Sequence, residues 1–141
     1  MPQDRDVSKS SRMRLLWAGP LTILVSVTAV WLIRLAAVSM LHPSKEFAPL
    51  APGPPVFDTV VAVCAAIVVF ARIWNDSLEP ARDYRSLAGK VLIVSFVLDV
   101  ALAVMHGFGG GWPEAFALMA MHIAVWAICV TMLPALCWAH R

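Results

Sequence analysis

Two side chains capable of proton chemistry stand inside long apolar stretches of this chain: Asp99, at the end of Ser95-Phe96-Val97-Leu98-Asp99, and His122, in Met121-His122. A carboxylate and an imidazole brought together in an apolar setting can trade a proton or hold an ion, because burial and proximity shift their protonation equilibria. The same pair can also do no more than hydrogen-bond and tie two helices together. Ser95, Asp99 and His106 follow an i, i+4, i+11 spacing, which places them on one face of a helix. Thr22, Ser26, Val30 and Arg34 form an i+4 stripe, and His122 and Trp126 share a face. Asp99 is therefore a candidate acid or base, with His122 tuning or relaying the proton. Asp58, Arg34, Ser95 and His106 are candidate substrate-binding groups. Each has a plainer alternative: Arg34 and Asp58 as an interfacial ion pair, His106 and Glu114 as surface groups beside a glycine turn.

Positioning such groups requires helices, and the composition says in which solvent. Of 141 residues, 60% are hydrophobic and only 14% charged, against roughly a quarter charged in soluble domains. A soluble fold of this size cannot cover itself with so few charges. A soluble globular enzyme, a disordered tail protein and a secreted disulfide scaffold are excluded. A bilayer is crossed by about 20 apolar residues at 1.5 Å each. Four segments qualify, at about residues 15–41, 56–74, 87–108 and 113–138. The predicted fold is all-α: a polytopic antiparallel bundle of four transmembrane helices in one domain, 15–138, after a disordered cytoplasmic tail over residues 1–14. The first span exceeds a signal-peptide apolar run and reads as an uncleaved anchor.

Lys and Arg placement orients the bundle. Arg5, Lys9, Arg12 and Arg14 precede the first span, Arg72, Arg82, Arg85 and Lys90 surround the second connection, and Arg141 ends the chain, whereas the opposite loops hold only Lys45. The positive-inside bias puts both termini in the cytoplasm. Trp17, Trp74, Trp112 and Trp138 fall at span ends, where interfacial tryptophans sit. The net charge of +2 reflects this sidedness, so no nucleic-acid partner is implied. Prolines at 43, 49, 52, 54 and 55 favour a stiff extended loop over the outer mouth. Asn75–Ser86 reads as a polar loop with Ser86 capping the third helix.

Ionisable groups inside a membrane cost about 2.5–3.5 kcal/mol each on insertion scales, so they turn inward and seek partners. Asp99 lies roughly 18 Å above Leu87, and His122 roughly 12 Å below Glu114 on the descending fourth helix. The two depths agree, and a direct contact is feasible. Arg34, Asp58, His106 and Glu114 also fall in the outer half, which predicts a polar cavity lined by all four helices and lying partly under the proline-rich loop. No motif calls for a cofactor or metal. Cys64, Cys129 and Cys137 form no C-x-x-C pair, and His106 and His122 differ too much in depth to share a haem iron. The scattered methionines suit ordinary apolar gap-filling.

Leu16-Trp17-Ala18-Gly19-Pro20, Pro49-Leu50-Ala51-Pro52-Gly53-Pro54, Ser95-Phe96-Val97-Leu98-Asp99 and Met121-His122 occur in this order across residues 12–138. Together with the four-span layout, they resemble a family of small four-helix bacterial integral membrane proteins grouped as a domain of unknown function. The resemblance implies no activity, and adds emphasis to Asp99 and His122. Three functions stay open from sequence. The first is an accessory component docking on a larger membrane complex or on copies of itself. The second is an enzyme doing isomerase-, cyclase- or hydratase-type acid–base chemistry on a lipophilic small molecule. The third is a small proton- or ion-coupled transporter.

Overall fold

With no water in the hydrocarbon core, each backbone N–H and C=O must be paired within its own segment, and helices do this. The computed structural model describes residues 3–43, 47–106 and 110–138, with side chains described from Trp17 to Cys137 within those ranges. It contains α1 (Gln3–Leu41), α2 (Pro54–Asp76), α3 (Pro80–Val104) and α4 (Trp112–Trp138), with one short 3₁₀ turn at Ala48–Leu50 and no strand among the described residues. All four helices are long and apolar enough to cross a membrane, over Trp17–Leu41, Pro54–Asp76, Pro80–Val104 and Trp112–Cys137. The chain is a small, all-α, multi-pass integral membrane protein, and its outward apolar side chains, such as Ile93, Val94, Val97 and Leu32, contact lipid.

Several boundaries differ from the sequence expectation. The backbone of residues 3–14, expected to be irregular, continues α1, because extending an existing helix is far cheaper than nucleating one. The second connection shrinks from Asn75–Ser86 to Ser77–Glu79. Pro80 opens α3 with its φ preset and no N–H to leave unpaired, so Ser86 lies inside the helix and caps nothing. The turn is closed by its own side chains: Ser77 Oγ accepts from the Glu79 N–H at 3.1 Å and donates to the Asp83 carboxylate. At its other end α3 stops at Val104, short of the expected Phe108, which lies outside the described residues. His106 takes φ +48° and its N–H donates to Ala103 O. His42 ends α1 in the same left-handed conformation, and its N–H donates to Val38 O at 3.2 Å, the usual way a helix pairs its last carbonyls.

Each helix packs on two main neighbours: α1 on α2 and α4, and α3 on α2 and α4. Gly19 lets α1 approach α2 closely, since a Cβ there would sit 3.3 Å from the Ile67 Cδ1. Toward the α2–α3 turn the interior is filled by Val63, Phe70, Tyr84, Cys129, Val130 and Leu133. The Phe70 and Tyr84 rings meet edge to face at 5.0 Å there. At the opposite end a second cluster joins Val30 and Met121 to Phe47 and Leu50 of the proline-rich segment. Tyr84, early in α3, shares a cluster with Leu133, late in α4, whereas Asp99 meets His122; α3 and α4 thus pair in opposite directions.

Candidate functional site

Beside the second cluster, and sharing Val30 and Met121 with it, lies a cavity of about 490 Å³, within the few-hundred-Å³ range of small-molecule sites. Every helix contributes to its wall. Val30 comes from α1, Asp58, Thr59 and Ala62 from α2, Ser95, Leu98, Asp99 and Leu102 from α3, and Leu118, Met121, His122 and Val125 from α4. Pro49 of the proline-rich segment closes one side. A cavity lined by all four helices and covered by the proline-rich segment is present, but it is mostly apolar rather than polar, and of the α1 stripe only Val30 lines it.

The cover is built differently from the expected extended strap. Phe47 and Leu50 are buried at 3% exposure each and insert into the bundle beside Val30 and Met121. The Phe47 ring sits on Gly110, where a Cβ would come within 2.2 Å of Phe47 Cε2. Arg34 Nε donates to Leu50 O at 2.9 Å, and its guanidinium lies 4.9 Å from the centre of the Trp31 ring. The apolar side chains of this loop outweigh the stiffness of its prolines, because burying a Phe and a Leu removes a large apolar area from water.

Asp99 and His122 meet. His122 Nδ1 and Asp99 Oδ2 are 2.9 Å apart. The side chain of Asp99 is 7% exposed and that of His122 is 43% exposed. With the carboxylate ionised, His122 Nδ1–H is the donor and Asp99 the acceptor, which leaves the Nε2 lone pair of a neutral ring unused. His122 is the more exposed of the two, and a carboxylate in the place of Asp99 can fix the tautomer and orientation of the ring, as carboxylates do for catalytic or metal-bound histidines.

The other candidates separate. Asp58 is exposed at the cavity wall one turn into α2. Ser95 also lines the cavity, but its hydroxyl donates back to Val91 O at 3.1 Å. Thr59 is buried and likewise donates to Pro55 O, at 2.6 Å. Arg34 is absent from the wall: it holds the loop rather than pairing with Asp58 or facing a ligand. His106 lies beyond the end of α3, exposed and in left-handed conformation, so it leaves the Ser95–Asp99 face on which a continuous helix would have placed it. Glu114 accepts from the Gly111 N–H at 2.9 Å, capping α4. The α1 stripe does point inward, with Thr22 and Ser26 at 0% exposure and Val30 at 2%.

Sequence reasoning missed Phe47, Gly110 and Tyr84. A single aromatic among polar and proline residues was the available signal for Phe47, and a lone tyrosine near a charged helix start for Tyr84. Cys64 is exposed on α2, Cys129 is buried, and no disulfide joins the three cysteines. Among the described residues no group of three His, Cys, Asp or Glu side chains converges to hold a metal ion. Comparison with protein-family models, curated proteins and solved structures finds no match.

Proposed function

We propose that this chain is a bacterial cytoplasmic-membrane protein, an antiparallel bundle with both termini inside, that performs acid–base chemistry on a lipophilic small molecule in its intramembrane cavity. One observation carries the reading: the Asp99–His122 pair opens onto a cavity of about 490 Å³ with mostly apolar walls. A purely structural hydrogen bond needs no such space beside it. His122 Nε2 removes a proton from the bound molecule, and Asp99 stabilises the imidazolium across the 2.9 Å hydrogen bond. Returning that proton to a second position of the same molecule gives an isomerisation or cyclisation that consumes no co-reactant. Leu98, Leu102, Leu118, Met121 and Val125 hold the apolar body of the molecule and keep water from the reacting centre.

The accessory-component reading, with docking on a larger complex or on a second copy, is best served by a dyad closed in the core, so the open cavity favours ligand handling. Ion-coupled transport needs a path through the bundle, and the cluster of Val63, Phe70, Tyr84 and Leu133 fills the interior toward the α2–α3 turn. The test compares apolar extracts of cells producing the wild-type protein, His122→Gln and Asp99→Asn at equal membrane levels. A pair of equal-mass compounds is expected to exchange abundance with both substitutions. Identical extracts from all three strains would remove the enzymatic reading.

A further inference from the structure

The charged groups of the cavity wall are unbalanced. Asp58, Asp99 and His122 line it, and among the described residues no Lys or Arg does. Arg34, the cation of α1 nearest in sequence to the wall residue Val30, is committed to Leu50 O and the Trp31 ring. Asp58 forms no hydrogen bond or ion pair with any described residue, and Asp99 receives no hydrogen bond there other than that of His122. With both carboxylates ionised the described wall residues carry net negative charge even when His122 is protonated. Asp58 is exposed at the cavity edge with no counter-charge among the described residues, so a ligand's ammonium group can form a charge-assisted hydrogen bond with its carboxylate. A carboxylate or phosphate ligand would meet like charge there instead. Apart from Thr59 and Ser95, whose hydroxyls donate to their own helix backbones, the rest of the wall is apolar, with Val30, Ala62, Leu98, Leu102, Leu118 and Val125 among it.

We infer that the cavity takes lipophilic amines, with the ammonium group held by Asp58 at the exposed edge and the aliphatic body lying along α3 and α4 toward the Asp99–His122 pair. The geometry assigns Asp58 as the group that selects for charge, and leaves His122 Nε2 free to act further along the ligand. This inference rests on the reading of the cavity as a ligand site and names the class of molecule that enters it.

The test measures binding of decylamine, decanol and decanoate to the full chain in zwitterionic-lipid nanodiscs, with empty nanodiscs subtracted. Decylamine is expected to bind about tenfold more tightly than decanol, the value of one charge-assisted hydrogen bond at a partly exposed site, and decanoate more weakly than either. Asp58→Asn should erase the preference for the amine while leaving decanol binding unchanged. Ala62→Trp, which fills the wall, should weaken all three. Equal binding of amine and alcohol, or tighter binding of decanoate, would overturn the charge selection while the ligand-site reading stands. If no probe binds above empty nanodiscs, or if Ala62→Trp leaves binding unchanged, both readings fall.

Discussion

The Asp99–His122 contact makes a quantitative prediction about what happens when its halves are removed separately and together. Asp99→Leu leaves the His122 Nδ1–H without its acceptor, at a cost of about 1–3 kcal/mol for an unsatisfied polar group. The lower half of that range applies, since the His122 side chain is 43% exposed. His122→Leu strands a carboxylate whose side chain is only 7% exposed, and breaking a buried pair from one side costs about 3–5 kcal/mol. The double substitution replaces both partners with apolar groups of similar size, which is close to neutral for such pairs. The two single losses should therefore together exceed the loss in the double variant by about 4 kcal/mol or more, from the lower ends of the two ranges. Reversible unfolding in mixed micelles, followed by far-ultraviolet circular dichroism, reads all four corners of this cycle. Nitrogen-15 spectra of His122 supply a second readout. Carboxylate acceptance should hold more than about 90% of the neutral ring in the Nδ1–H form, since 1.4 kcal/mol is a factor of ten, and Asp99→Leu should release it. Losses that add within about 0.5 kcal/mol, with an unchanged tautomer, would refute the direct contact and with it the assignment of the site.

Three further outcomes test the surroundings of the site. Gly110→Ala places a methyl group where the Phe47 ring lies, within 2.2 Å of Cε2; it should cost about 1–3 kcal/mol as an overpacked contact, and Phe47→Ala in the same chain should recover part of that loss, both measured by thermal unfolding in detergent. Arg34→Ala removes the 2.9 Å hydrogen bond to Leu50 O and should raise labelling of a cysteine introduced at Pro49 severalfold, whereas unchanged labelling would deny Arg34 its role in holding the loop. For the orientation, a cysteine at the fully exposed Leu78 in the α2–α3 turn should resist a membrane-impermeant maleimide in spheroplasts, and one at Pro52 should react; the reverse pattern would invert the bundle.

Much of the architecture could be read from residue order because its causes are local. Four apolar stretches of spanning length produce four helices whatever their neighbours, since lipid forces the backbone to pair within each segment. The inward stripe of Thr22, Ser26 and Val30 was visible for the same reason: helical period and dislike of lipid for polar groups act on one helix at a time. Boundaries were less legible where a turn contributes its own side chains. Ser77 and Asp83 close the α2–α3 turn so tightly that α3 starts seven residues before Leu87. His106 was placed on the wrong surface because its i+11 spacing assumed a helix that ends two residues earlier, at Val104.

The order of residues by itself therefore determined the solvent of this protein, the number of its spans and the pair of ionisable groups worth examining. Tertiary structure decided what that pair is: a buried carboxylate behind a more accessible imidazole, beside a cavity rather than inside a closed core. It also decided that Arg34 holds a loop while Asp58 faces open space. These outcomes depend on how far each helix is turned and shifted against the next. Contacts between distant residues set those quantities: Gly19 against Ile67, Phe70 against Tyr84 and Phe47 over Gly110. A rotation of one residue, about 100° around a helix axis, would carry Asp99 from its partner into lipid, and no local pattern along a single helix contains that angle.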